Sequence, residues 1–281
     1  MSRELSLSIV TPSFNQGAFI EDALLSVKNQ GYDKLEHIVI DGGSTDETIS
    51  ILRHYSGEDQ WKHLHWTSEP DSGQGEALNK GFAKAHGEII GWLNSDDRYR
   101  AGCFGYVSRV FQEHPEVDVI YGDYAWIRED GDIFRIRHEI EFSPFVLLYH
   151  RVLYIPTTAT LFRRRVFEQG NRLDESLHFA LDFEFFLRLA AQRYRFLHVP
   201  AVLGEFRFHP CSKTCRSGEK QLEEKDRVMQ LHSPLLRRLR SPVARQAALT
   251  LLRSCAATLR YSEKLMRGYY FNQFRLSTLN S

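Results

Sequence analysis

Apolar residues recur along the first hundred positions in two alternating periods. Leu5 to Thr11 is a β-rich apolar run, and over Gln16 to Gln30 the residues Phe19, Ile20, Ala23, Leu24 and Val27 fall at helical spacing. Leu35 to Asp41 is a second strand, and Ser44-Thr45-Asp46-Glu47 reads as a capping box opening a helix through Tyr55. Leu64 to Ser68 gives a short third strand, Gln74 to Ala85 a helix stopped near Gly87, and Glu88 to Asn94 a fourth strand. Strands joined by crossover helices form a parallel sheet, and ligands of such sheets lie beyond the strands' carboxyl ends, where the strand order reverses. After Asp97 the pattern loosens to a helix over Ala101–His114, strands at Val117–Tyr121 and Ile133–Arg137, an aromatic-rich helix over Ala180–Gln192 and a late strand at Val202–Phe208. From Gly218 to Tyr270 the spacing is helical, interrupted at Ser233-Pro234 and Ser241-Pro242. No internal repeat or low-complexity segment interrupts the chain.

Three of the four early strands end in polar or acidic clusters: Thr11-Pro12-Ser13-Phe14-Asn15, Asp41-Gly42-Gly43-Ser44-Thr45-Asp46 and Asn94-Ser95-Asp96-Asp97. Packed at one sheet edge, their carboxylates repel one another unless a cation or ligand donors compensate. Asp96 and Asp97 are hard oxygen ligands suited to Mg2+ or Mn2+, which would also touch a diphosphate. Read alone, such a pair is equally a solvated turn, Asp41 a turn residue before Gly42-Gly43, and Asp71 a helix cap.

The blocks Ser8 to Asn15, Ile40-Asp41-Gly42-Gly43-Ser44-Thr45-Asp46-Glu47-Thr48, Glu69-Pro70-Asp71-Ser72-Gly73-Gln74-Gly75 with Ala77, Asn79 and Gly81, and Asn94-Ser95-Asp96-Asp97 resemble, in order and spacing, the family 2 nucleotide-sugar glycosyltransferases. The resemblance spans residues 5 to 210. It implies a GT-A fold, a Rossmann-like, mostly parallel α/β sheet flanked by helices, carrying here a helical C-terminal extension. It implies a catalytic domain over 1–212, with a nucleotide-binding half at 1–97 and an acceptor half at 98–212, and a basic arm over 213–281. Thr11, Pro12 and Ser13 then line the nucleotide, Asp41 accepts an N–H from the base (typically uracil), and Asp71 and Gly73 approach the nucleoside. Asn94, Asp96 and Asp97 serve ribose and metal, with Asn94 departing from the usual Asp-x-Asp, and His209 lies over the diphosphate. Asp182, in the segment resembling the family's acidic helix, takes the role of general base, and Glu184 does not. The activity implied is inverting transfer of a sugar from a nucleoside-diphosphate donor, UDP-linked in the first place, to a saccharide or lipid-linked saccharide acceptor of cell-envelope polysaccharide synthesis.

Composition narrows the alternatives. Lys plus Arg and Asp plus Glu are 36 each, 42% of residues are hydrophobic and 26% charged, which fits a folded enzyme and makes nucleic acid a poor partner. Residues 213–275 hold 14 basic against 5 acidic side chains, so the preceding 212 residues are acidic by nine. In the arm, Arg245, Arg253, Arg260, Lys264 and Arg267 fall on one helical face, with Ala248, Leu251, Leu252, Cys255, Ala256, Leu259 and Leu265 supplying apolar surface. Two arrangements are open: the apolar face docks on the body with the basic face in water, or the arm rests on an anionic membrane. The opening Met1 to Glu4 lacks a signal peptide's basic region and no apolar run is long enough to span a bilayer, so the expected location is cytoplasmic, with peripheral contact at the inner membrane. A sugar-nucleotide nucleotidyltransferase would want a basic residue within Thr11 to Gly17, where none stands. A non-catalytic sugar-nucleotide-binding protein would have lost the aspartates. Cys211, Cys215, His198 and His209 lack paired Cys-x-x-Cys spacing and do not read as a zinc site.

Overall fold

Leu7 to Ser13 is buried on both faces, and this makes it a central strand. The computed structural model, which describes residues 4–150, 152–210, 212 and 218–272, builds a mixed sheet around it. Strands β1 (Leu7–Ser13), β2 (Leu35–Asp41), β3 (Leu64–Ser68) and β4 (Ile89–Trp92) are parallel, connected through α1 (Ile20–Lys28), α2 (Thr48–Ser56) and α3 (Gln74–Lys84). The second half contributes β5 (Arg98–Tyr99), α4 (Cys103–Glu113), β6 (Val119–Ile127), β7 (Ile133–Arg137), α5 (Pro144–Tyr149), β8 (Thr160–Arg163), α6 (Arg165–Glu168), α7 (Leu181–Ala191) and β9 (Phe196–Arg207). The sheet order is β3-β2-β1-β4-β8-β6-β9-β5, with β7 paired to β6. From β1 the chain winds outward to β3 and then returns to place β4 on β1's other side. The strand order therefore reverses between β1 and β4, and a crevice opens past their carboxyl ends. Register sets Ser13 beside Asp41 and Asp41 beside Ser68 at that edge.

Alternation along β1 divides the core. Ile9 joins Val27, Phe104 and Leu161 on one face, and Val10 joins Leu78, Trp92 and Phe162 on the other. Helix α3 lies close on β1 because Gly81 has no side chain: a Cβ there would stand 2.2 Å from Val10 Cγ1.

Three expectations are corrected. The box at Ser44–Glu47 does not cap α2, which begins at Thr48; Asp46 instead accepts the Thr48 N–H, and Ser44 turns to Asp41. The late strands are longer than their apolar runs, with β6 reaching Ile127 and β9 beginning at Phe196, because their pairing supports residues whose own pattern is irregular. Strands β5 and β8 and helices α5 and α6 are too short to set up a period and were not expected.

The arm comprises α8 (Gly218–His232), α9 (Pro234–Arg238), α10 (Pro242–Met266) and α11 (Tyr269–Asn272). Ser233 and Ser241 cap α9 and α10 with Pro at the first position. Val228, Met229, Leu236, Leu249 and Ala256 extend the same core as Trp92 and Phe162. The sidedness of α10 reverses the expected one: its cations turn inward, Arg260 and Lys264 onto the body and Arg253 onto α8. Arg260 Nη2 lies 2.6 Å and Lys264 Nζ 2.9 Å from Oε2 of the buried Glu139, Arg267 pairs with Glu141 at 2.9 Å, and Arg253 pairs with Asp226. Burial pulls the Lys264 amine down to about 8 despite the Glu139 charge.

Candidate active site

The loops that leave β1 and β2 clamp one another. Asn15, in the left-handed region at φ 51°, accepts the Thr45 N–H at 2.9 Å and donates its own N–H to Ser44 Oγ, while the Gly17 N–H reaches Asp46 at 2.8 Å. Thr11 and Pro12 sit below this rim, buried in the strand. Thr11 Oγ1 is 2.9 Å from Nε2 of His37, whose imidazole burial drives down to about 3 and so keeps neutral. Ser13 is the first β1 side chain at the crevice, and its Oγ is buried without a hydrogen-bond partner. Beside it Phe14 is 59% exposed.

Asp41 is buried and well supplied with donors. Its Oδ2 accepts from the N–H of Gly43 (3.0 Å) and Ser44 (2.8 Å) and from Ser68 Oγ (2.7 Å), and its Oδ1 accepts from Ser44 Oγ. The turn role is thus realised, and Asp41 fixes the rim from beneath. Asp71 is the more accessible carboxylate. It packs on Gly42, where a Cβ would meet it at 3.0 Å, and accepts the Gly73 N–H at 2.9 Å. Burial outweighs that hydrogen bond, and the Glu76 and Asp41 charges add to it, so its carboxyl lies above the usual range. Gly73 takes φ 132°, closed to ordinary side chains, and starts α3 with its backbone facing the crevice.

The two aspartates after β4 have separate surroundings. Asp97 is 1% exposed and accepts from Thr158 Oγ1 (2.5 Å), the Arg207 N–H (2.9 Å) and Asn94 Nδ2 (3.2 Å). Burial, and next the Asp96 charge, push its carboxyl well above the carboxylate range. Asp96 is half-buried and meets a different partner, with Oδ2 3.0 Å from His209 Nε2. The two neighbouring aspartates thus have separate partners, Asp97 buried among Thr158, Arg207 and Asn94, and the half-buried Asp96 against the buried His209. Asn94 links these groups to α3 by accepting from Gln74 Nε2 and Trp92 Nε1, each at 2.9 Å.

Arg207, which the sequence reading passed over, ties the edge together. Its guanidinium donates to the carbonyls of Asp96 (2.8 Å) and Glu129 (2.6 Å) and to Asp22 of α1, and stacks 5.2 Å from the Phe19 ring, which also lies 4.4 Å from the His209 ring. A signal was available, because Arg207 and His209 are two apart at a strand end and so point the same way.

Asp182 stands in the first turn of α7, half-buried, accepting the Phe183 N–H at 2.7 Å. Glu184 is committed elsewhere: burial would raise its carboxyl, but hydrogen bonds from His232 and Arg188 outweigh that and hold it low. The loop before α7 is fixed at both ends. Asn79 of α3 hydrogen-bonds Leu173 and Glu175, and Glu224 of α8 accepts the N–H groups of His178, Phe179 and Ala180. Glu224 is a second residue that no local pattern singles out. His198 is turned into the core toward Asp123 at 2.9 Å, and Cys211, Cys215 and Lys213 lie outside the described residues.

Residues 8–170 match the family model described as Glycosyl transferase family 2. The chain belongs to glycosyltransferase family 2. An uncharacterized glycosyltransferase of Mycobacterium tuberculosis is 31% identical over 192 residues, covering 68% of this chain and 71% of that one. The putative teichuronic acid biosynthesis glycosyltransferase TuaG of Bacillus subtilis is 37% identical over 94 residues, 34% of this chain and 37% of its own length. Among solved structures, S. aureus TarS 1-349 in complex with UDP-GlcNAc superposes with a TM-score of 0.65 at 17% identity, over 90% of this chain and 72% of that one. The chain covers 44% of a longer TarS chain. This likeness establishes the GT-A fold for the present glycosyltransferase.

Proposed function

We propose that this glycosyltransferase inverts configuration, moving a sugar from a nucleoside diphosphate, UDP in the first place, to an acceptor hydroxyl in cell-envelope polysaccharide synthesis. The observation that carries the reading is the Asp96–His209 couple after β4, with the buried, unpartnered Ser13 hydroxyl at the end of the adjacent β1. TarS, solved with UDP-GlcNAc, supports the donor class, and TuaG supports the polysaccharide. Phe14 offers a ring face to the base, Asp71 and the Gly73 backbone approach the nucleoside, and Asp41 holds the rim on which they sit. Thr11 and Pro12 support Ser13 from inside β1.

Mg2+ or Mn2+ fits Asp96 and His209, a carboxylate and an imidazole at hydrogen-bond distance, with diphosphate oxygens and water completing the shell. Among the described residues no group of three or more His, Cys, Asp or Glu could hold an ion, so the donor itself has to contribute ligands. The ion would supply charge to the departing diphosphate. Asp97 acts from behind, held by Thr158, Asn94 and Arg207, and so fixes the direction of Asp96. Asp182 removes the proton of the acceptor hydroxyl while that oxygen bonds to sugar C1 and the C1–O bond to the diphosphate breaks; one displacement inverts the centre.

Titration calorimetry with a panel of nucleotide sugars tests the assignment. Donor binding should need Mn2+ or Mg2+ and be lost in Asp96→Ala. Equal donor affinity in chelator and in metal would refute the metal role. A cytoplasmic location, with peripheral contact at the inner membrane, belongs to the same proposal; no described helix is long and apolar enough to cross a membrane.

A further inference from the structure

Helix α10 wears its amphipathicity inside out. All five of its charged residues, Arg245, Arg253, Arg260, Glu263 and Lys264, are buried or half-buried, and every exposed position between Pro242 and Met266 is uncharged. The outer face presents Val243 (79% exposed), Leu251 (65%), Leu259, Leu265 and Met266 (79%), with Ala, Ser, Thr and Gln between them. Leu231 and Leu235 add exposed apolar surface just before it. At 1.5 Å per residue the helix is about 37 Å long, a stripe much longer than an isolated exposed leucine would explain.

Within residues 231–266 the exposed charges have one sign. Over residues 231–266 the exposed charged residues are Arg237, Arg238 and Arg240, at the stripe's amino-terminal end. The segment's one acid, Glu263, is half-buried and accepts from Arg267 and from the Glu141 N–H. A surface that is apolar along its length and cationic at one end, its nearest exposed acid, Glu141, being paired with Arg267 at the other end, complements an apolar layer edged with negative charge. A second copy of the same face would offer the arginines only more cation and uncharged side chains.

We infer that the outer face of α10, with Leu231, Leu235 and the three arginines, is a docking surface for an anionic lipid bilayer. The helix lies in the headgroup plane, and its apolar side chains enter the acyl boundary. Attachment is hydrophobic first and electrostatic second, because the four cations of α10 itself are turned inward and its exposed positions are uncharged. The inference rests on the peripheral membrane contact proposed above and assigns the surface that makes it; the transferase chemistry can hold or fail independently of it.

Co-sedimentation of the full chain tests it, using vesicles of phosphatidylglycerol and phosphatidylcholine in equal parts against phosphatidylcholine alone. The wild-type chain should partition to the anionic vesicles. Leu251→Glu with Leu259→Glu should lower that partition more than tenfold, while the thermal midpoint and soluble-donor hydrolysis stay unchanged, since both positions are exposed and far from the crevice in sequence. Arg237→Ser with Arg238→Ser and Arg240→Ser should remove the preference for anionic vesicles, each cation being worth about fivefold. Wild-type chain left in the supernatant with both vesicles would overturn the inference. So would vesicle binding that the Leu251 and Leu259 substitutions leave intact, or a solution dimer that they dissociate without any vesicle binding.

Discussion

Glu139→Gln tests how the arm is held. Glu139 is fully buried, and its Oε2 receives both Arg260 and Lys264, with Arg137 3.9 Å from Oε1. The amide keeps the shape and removes the charge. Arg260 cannot shed its proton, and stranding a buried cation costs about 3 to 5 kcal/mol. Lys264 has an escape. Its amine already titrates at about 8 against an ordinary 10.5, and without Glu139 it falls further and goes neutral near pH 7. Neutralisation limits its added cost to about 1.4 kcal/mol, one unit of pH. The sum, about 4 to 6 kcal/mol, is a large part of a typical domain stability of about 5 to 15 kcal/mol. Urea unfolding at pH 7 measures it. Because a lysine with a lowered folded value leaves the unfolded chain holding more protons, the variant should gain stability from pH 7 to 8 more steeply than wild type, closing the gap by about 1 kcal/mol. A loss below about 1 kcal/mol at pH 7, with no narrowing at pH 8, would refute the account. Replacing Glu139, Arg260 and Lys264 together by methionine should restore most of the stability, as buried ion clusters often tolerate apolar exchange.

Asp182→Asn should lower transfer by about 10² to 10⁴ and leave donor affinity in calorimetry unchanged, since the amide cannot take the acceptor proton; a loss under tenfold would point to another base. Gly81→Ala sets a methyl group 2.2 Å from Val10 Cγ1 and should destabilise by about 1 to 3 kcal/mol in urea, with Val10→Ala restoring part of the loss; an unchanged midpoint would mean that α3 does not press on β1. His37 stays neutral in the fold, titrating at about 3 against an ordinary 6.5, so below pH 6.5 the unfolded chain binds a proton that the folded chain refuses. Stability contributed by the neutral ring is complete above pH 6.5 and is lost as pH falls, by about 2 kcal/mol at pH 5, and His37→Gln should remove that part of the acid slope.

The parallel half of the fold was legible in the sequence because its information is local. In β1 to β4 the apolar runs coincide with the strands, and polar clusters follow directly at Ser13, Asp41 and Asn94. The second half depends on pairing at a distance. Gly204 could be read only as an irregularity, whereas in the sheet it lets β9 pass the Thr158 carbonyl, where a Cβ would stand 2.4 Å away. The same holds at the site. Adjacency on the chain suggested that Asp96 and Asp97 act as a pair, yet neighbouring residues of an extended segment point apart, and Asp97 goes to Thr158 and Arg207 while Asp96 goes to His209. Which of two neighbouring acids faces the crevice is decided by side chains about sixty and about one hundred and ten positions away, as the separations of Thr158 and Arg207 from Asp97 make plain.

The charge asymmetry between body and arm takes on a different meaning once these contacts are known. An acidic body and a basic arm suggest an arm reaching outward for anions. Here Glu139 and Glu141 of the body meet Arg260, Lys264 and Arg267 of the arm, and in the other direction Glu224 of the arm binds three backbone N–H groups of the loop entering α7. That loop leads directly to Asp182. The ion cluster and the Glu224 cap are therefore two ends of one attachment, and loosening α10 relaxes the support under the proposed base without touching Asp96 or Asp71. Internal use of the cations also explains why α10 can leave an uncharged face outward: the body and the neighbouring α8 have already taken its charged residues, and what remains for the surroundings is the apolar side. The arm thus belongs to the catalytic unit through its inner face, and its outer face is free to hold that unit at a boundary.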